Sequence, residues 1–183
     1  MHPQPRPQSP HRSPMVHRRD DEGDVSESAV REVVLRRLAH APRTRAELAR
    51  DLARRGVPEP VSDTVLDGLE ACGLIDDVQF ARLWVETRHR VRGLARGALR
   101  RELTERGVSA DTVADALAHI DAESEVIRAR ELARRRLKTM VDCDRATQHR
   151  RLSAYLARRG YGGAVVTSVV LEVLQRDTVD HGV

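Results

Sequence analysis

One ten-residue pattern recurs three times along this chain. It reads Leu-x-x-x-Leu-x-x-Arg-Gly-(Val or Tyr), and Leu48–Val57, Leu99–Val108 and Leu152–Tyr161 carry it. The three glycines, Gly56, Gly107 and Gly160, lie 51 and 53 residues apart. Leucines four apart share one face of a helix, and a glycine just past the last periodic residue is a C′ stop, where the backbone turns left-handed. Each copy is therefore a short helix that ends on its glycine, with room in the spacing for one helix before it and one after. Self-similarity at such a period marks an array of small supersecondary units rather than one deep core. The pattern predicts an all-α chain of three tandem three-helix repeats forming an elongated, curved array, with the copied helix in the middle of each repeat.

The flanking sequence supplies the other helices. Ser26 or Ser28 caps a first helix, with Val30, Val33, Val34 and Leu38 on one face and Pro42 as its stop. Thr44 with Glu47 makes a capping box for the second helix, and Pro58 and Pro60 open a third whose stripe is Val61, Val65 and Leu69. The second repeat starts at Asp76, with helices expected over roughly 77–91 and 95–106 and a third capped by Ser109. The third starts at Asp121. Its last helix holds Val165, Val166, Val169, Val170, Val173 and Leu174, which pair four apart and so follow a helical rather than an alternating period. The boundaries this gives are 26–75, 76–120 and 121–176, with a frayed end at 177–183. Residues 1–25, rich in Pro, Ser, His and Arg, offer too little apolar surface to offset their ordering entropy and are expected to be a disordered tail.

Composition excludes several classes. Charged residues make up 33% of the 183 and aromatics 2%, so the apolar face is mostly Ala, Leu and Val, suited to small helical bundles. Cys72 and Cys143 lie in no paired motif, which supports neither a disulfide framework nor a zinc site. Cys72, just before a C′ glycine, is expected to pack half-buried. No apolar run is long enough to span a membrane and no signal-peptide stretch opens the chain, so a cytoplasmic monomer is expected. No phosphate loop or nucleophile elbow is present. His40, His89, His119 and His149 fall at helix ends or among charges, where solvated histidines are usual. The expectation is a non-enzymatic protein with no catalytic residue, no metal and no cofactor.

The stretch from Leu74 to Val108 is the most informative. Asp76 is an N-cap, and Asp77 beside it points about 100° away on the helix, so the two acids cannot converge as a catalytic pair. Phe80, Ala81, Trp84, Val85, Arg88 and Val91 recur at helical spacing, and Trp84 is expected to pack inside the second repeat. The string Asp76-Asp77-x-x-Phe80-Ala81-x-x-Trp84-Val85, followed by an arginine-rich link and Arg100-Arg101-Glu102-Leu103-x-x-x-Gly107-Val108, resembles the RecX family. That resemblance implies three tandem three-helix repeats, which the internal repeat reaches independently. It also implies a small helical bacterial protein that binds the RecA–DNA filament along its groove and modulates the recombinase, most often by inhibiting its ATPase, strand-exchange and co-protease activities.

Charge points to where such binding would occur. All but one of the 32 basic residues are Arg. Residues 82–106 hold eight Arg against three acids, and 128–159 hold ten Arg and one Lys against three acids, whereas 29–75 are nearly neutral. Concentrated positive charge attracts polyanions or acidic protein surfaces. Three belts result: Arg88, Arg90, Arg92, Arg96, Arg100 and Arg101; Arg134, Arg135, Arg136 and Lys138; and Arg150, Arg151, Arg158 and Arg159. These are expected to form one basic face, with few i,i+4 glutamates to compensate them. The rings of Phe80, Trp84, Tyr155 and Tyr161 are too few and too buried to form a base-stacking row. DNA contact would then be weak, sequence-independent and through phosphates. The alternative is a free-standing DNA-binding regulator of helix-turn-helix type, against which stands the lack of a helix presenting Asn, Gln and Arg together as a base reader.

Overall fold

The structure, a computed structural model, describes residues 26–180, with side chains as far as Arg176. The expected tail and the last residues of the expected frayed end lie outside the described residues. Among the described residues there are nine α-helices and no strands: α1 (Glu27–His40), α2 (Arg45–Arg54), α3 (Glu59–Ala71), α4 (Asp77–Thr87), α5 (Arg96–Glu105), α6 (Ala110–Leu117), α7 (Ala122–Leu137), α8 (Arg145–Arg158) and α9 (Gly163–Asp180). A π-helical turn, Arg88–Arg92, follows α4 directly. No described helix is long and apolar enough to cross a membrane.

Each repeat has its own core. Val30, Val34, Leu48, Leu52, Val65 and Leu69 close the first. Phe80, Val85, Leu99, Leu103, Val113 and Leu117 close the second. Ala129, Leu137, Leu152, Leu156, Val166 and Val170 close the third. The leucine pair of every copy of the motif is buried. Capping fixes where the helices begin. Thr44 and Glu47 form the reciprocal box, and the carboxylates of Asp76, Asp121 and Asp144 and the hydroxyl of Ser109 each accept the N3 amide of their helix.

The repeats are joined by a device that the spacing alone does not reveal. The middle helices stack head to tail, the C-terminus of each on the N-terminus of the one before. The Arg106 carbonyl at the end of α5 accepts from the Thr44 hydroxyl at the N-cap of α2 (2.7 Å). The Arg159 carbonyl at the end of α8 accepts from the amide of Ala95, the N-cap of α5 (2.9 Å). The first amide of α2, from Arg45, donates to Asp77 (2.9 Å), and that of α5, from Arg96, donates to Glu125 (2.7 Å). Free N–H groups at one helix end thus meet free carbonyls and a carboxylate from the next repeat, which also aligns the helix dipoles. Asp77 is half-buried for this reason. Burial raises its pKa above the ordinary carboxylate value, against the hydrogen bond from Arg45.

The motif glycines make this approach possible. Gly107 and Gly160 have φ of +86° and +87°. A Cβ on Gly107 would overlap the Ala46 side chain, and one on Gly160 would lie 2.6 Å from Ala98 Cβ. Gly97 is tight from the other side, since its Cβ would lie 2.6 Å from the Gly160 carbonyl oxygen. The glycine therefore both turns the chain and seats one repeat on its neighbour.

Three expectations need correction. The fourth helix does not run to 91: it gives way at Arg88 to the π-turn, which ends on left-handed Gly93 packed against Leu132. The wider turn shifts the register, so Val91, expected on the apolar face, is 71% exposed, while His89 is half-buried with Nδ1 2.8 Å from the Leu94 carbonyl. Cys72 is exposed rather than half-buried. The last helix continues past 176 to Asp180.

Candidate binding groove between the first two repeats

The junction of repeats 1 and 2 opens into a groove of about 610 Å³. Repeat 1 lines it with Arg37, Arg43, Arg50 and Arg54, and repeat 2 with Trp84, Arg88, Arg92 and Arg106. Four carboxylates stand among them: Glu47, Asp51, Glu102 and Glu105. Seven arginines against four acids leave the groove basic.

Trp84 organises the groove. Its indole N–H donates to Glu102 (2.7 Å), and Phe80 stacks on its ring with centroids 5.5 Å apart. The guanidinium groups of Arg88 and Arg106 lie 4.1 and 3.9 Å from its ring centroid, within cation–π range. Arg106 also pairs with Glu47 of repeat 1. Trp84 thus packs against the second core, as the sequence suggests, but is only half-buried, with its outer side in the groove wall. Its ring surface serves its own arginines, so it positions cations instead of offering a face to a base. Arg50 is spent on the junction, donating to the carbonyls of Glu105 (3.2 Å) and Arg106 (3.0 Å). Arg37, Arg54 and Arg55 converge on Asp51, whose pKa they hold below the ordinary value although burial opposes them. Arg43 and Arg92 are exposed and have no hydrogen-bonding or ionic side-chain partner among the described residues.

The structure divides the sequence-predicted belts. Arg88 stacks on Trp84 and lies 4.0 Å from Glu102, Arg90 pairs with Glu86, and Arg96 donates to the Ile120 carbonyl. Arg134 approaches Glu172 at 4.0 Å, Arg136 meets Thr139, and Arg151 donates to the Cys143 sulfur. Arg159 lies over Tyr155 at 3.7 Å. These seven are engaged within the chain. Arg92, Arg100, Arg101, Arg135, Lys138, Arg150 and Arg158 are exposed without a side-chain partner among the described residues. Of all fourteen, the groove brings together only Arg88 and Arg92.

Arg37, Arg43, Arg50, Arg54 and Arg106 escaped the sequence reading. A count over repeat 1 hides its arginines because Asp63, Asp67 and Glu70 cancel them. Those acids, however, gather around Arg45, away from the groove lining. Arg106 is the arginine of the repeat motif, where the sequence alone marks only the end of a helix. No group of three or more His, Cys, Asp or Glu placed to hold a metal ion occurs among the described residues.

Family models match all three units: RecX first three-helix domain over residues 31–69, second over 76–117 and third over 123–170. Regulatory protein RecX of Streptomyces coelicolor is 43% identical over 150 residues, covering 82% of this chain and 80% of that protein. Regulatory protein RecX of Mycobacterium marinum is 48% identical over 151 residues, covering 81% and 86%. The crystal structure of RecX from Lactobacillus salivarius superposes with a TM-score of 0.69 at 18% identity, covering 80% of this chain and 96% of that one. Three matched domains in the order of the internal repeat, with relatives this similar along most of both chains, show that the chain belongs to the RecX family of regulatory proteins.

Proposed function

We propose that this chain is a non-enzymatic regulator that binds the RecA–DNA filament and restrains its ATPase, recombinase and co-protease activities in the cytoplasm. The observation that carries the reading is the basic inter-repeat groove. It holds two arginines fixed on Trp84 and two more, Arg43 and Arg92, with no side-chain partner among the described residues. Uncompensated arginines repel each other unless an anion joins them, and both a DNA backbone and an acidic protein surface supply one. Exposed Arg100, Arg101, Arg135, Lys138, Arg150 and Arg158 extend the same chemistry along the array. Linked weak sites on successive repeats gain avidity for a repeating filament and little for a lone protomer. Contact with DNA runs through phosphates, is sequence-independent and weakens with salt.

The test is the DNA-dependent ATPase of purified RecA with the protein added below one per protomer. A fall in turnover supports the reading. Unchanged turnover at stoichiometric protein refutes it. A salt-insensitive preference for one DNA sequence would instead support the helix-turn-helix alternative.

A further inference from the structure

We infer that the chain docks head to tail on a second copy of itself, by repeating between molecules the junction that joins its own repeats. Two ends of the helix stack carry no further repeat among the described residues. Within the chain, each junction consists of a C′ glycine of one middle helix seated on the first turn of the preceding middle helix: Gly107 on α2, Gly160 on α5. The motif supplies a third glycine, Gly56, with the same left-handed backbone (φ +78°). A Cβ there would meet nothing within 4 Å among the described residues, so the turn is made but no described residue fills the seat.

The other end carries the matching receptor. Each middle helix begins with Arg at its first position and a small residue at its second: Arg45-Ala46, Arg96-Gly97 and Arg145-Ala146. Ala46 and Gly97 lie under the glycine of the following repeat. Ala146 is exposed. The acid that completes the junction also has a counterpart. At the second junction the acid is Glu125, the fourth residue of α7, and at the first it is Asp77, the first residue of α4, which receives the Arg45 amide. Glu27, the first residue of α1, matches Asp77 in position and is exposed, with no side-chain partner among the described residues. The C-terminal end of α2 and the N-terminal end of α8 therefore carry the left-handed glycine and the small first-turn residue that meet in both internal junctions.

Such a contact is heterologous, so it propagates into a ribbon and does not close as a two-fold dimer. It would be weaker than the internal junctions. Residues 72–76 and 118–121 tether those, and the tether supplies a high effective concentration that free copies lack. Copies held side by side on a linear polymer would regain it, which gives cooperative binding along that polymer.

Sedimentation velocity on the full chain tests this with two complementary variants. Gly56→Asn keeps the left-handed turn, since Asn tolerates positive φ, but fills the seat. Ala146→Glu fills the receptor on an exposed first-turn position where a carboxylate suits the helix dipole. Circular dichroism confirms that both remain as helical as the parent. The expected result is a sedimentation coefficient that climbs with concentration for the parent and stays at the monomer value for each variant alone. Mixed in equal amounts, the variants retain one good end each and form a one-to-one dimer that grows no further. The inference is overturned by a parent that stays monomeric up to its solubility limit. It is equally overturned by variants that associate as the parent does, or by a mixture that stays monomeric while the parent associates.

Discussion

Replacing each motif glycine with alanine separates the two roles of that residue. At Gly56 the substitution forces a Cβ into left-handed backbone and nothing else, because no described residue lies within 4 Å of it. That strain costs about 1–2 kcal/mol. At Gly160 the same strain applies, and the new Cβ also falls 2.6 Å from Ala98 Cβ and 2.8 Å from Ala98 Cα. The latter is helix backbone, which cannot move aside as a side chain does. Overpacking of this kind adds about 1–3 kcal/mol. Gly107→Ala should behave similarly, since it overlaps Ala46. The ordering expected is therefore Gly56→Ala as the mildest, with Gly107→Ala and Gly160→Ala costing about 2–5 kcal/mol in total. Urea unfolding followed by circular dichroism measures it, and the separate cores call for a check that unfolding remains cooperative. Trp84 provides a second reading. It lines the first junction and not the second, so its fluorescence should respond more strongly to Gly107→Ala, which acts on the groove directly, than to Gly160→Ala, which reaches it only through α5. Equal costs at all three glycines would refute the reasoning, because they would show that the turn alone sets the requirement.

Three further outcomes follow from the site. Arg43→Glu with Arg92→Glu should leave stability within about 0.5 kcal/mol, both residues being exposed with no side-chain partner among the described residues; RecA ATPase inhibition should weaken and its salt dependence flatten, whereas Asp63→Arg with Asp67→Arg should leave inhibition largely intact. Trp84→Phe keeps an aromatic against Phe80 but loses the hydrogen bond to Glu102, at a cost of about 1.5–3 kcal/mol for a bond to a charged group, measured by denaturant midpoint. The pKa of Glu172 is held low chiefly by its hydrogen bond from Arg130, and that of Asp51 is low as well; the stability they contribute is complete above the unfolded carboxylate values and lost as pH falls below about 4, so Asp51→Asn and Glu172→Gln should each flatten the acid limb of a melting-temperature profile.

Much of the fold was legible because it rests on local signals. The leucine pairs, the capping box at Thr44 and the aspartate caps each state a helix and its start within a few residues, and burial follows from the same periodicity. The π-turn was not legible, since it depends on Gly93 meeting Leu132, a residue 39 positions away on the next repeat. The groove was only half legible for a related reason. Charge summed along a segment assumes that neighbours in sequence share a surface. In repeat 1 they do not: Arg37 and Arg54 converge on Asp51 at the groove, while Arg45 holds Asp63, Asp67 and Glu70 elsewhere. Trp84 illustrates the same limit. Its spacing correctly put it on the helix face shared with Phe80, but only the position of Arg106, brought by the end of α5, shows that this face borders a groove.

The groove and the junction are one structure, and this couples them energetically. Arg106 contributes its carbonyl to the N-cap of α2, its guanidinium to Glu47 and its cation to the Trp84 ring. Arg50 ties the groove wall to the carbonyls of Glu105 and Arg106. A ligand held by arginines from both repeats can bind only while the two repeats keep this arrangement, so binding must stabilise the junction by the same free energy that the junction lends to binding. The same coupling runs toward the third repeat, because α5 ends in the first junction and begins in the second, where Ala95 and Arg96 meet Arg159 and Glu125. A change of angle at one junction therefore tilts the helix on which the other is built. Against the repeating filament proposed as its partner, a column of stacked helices would set the spacing of its arginines more reliably than three units on free linkers.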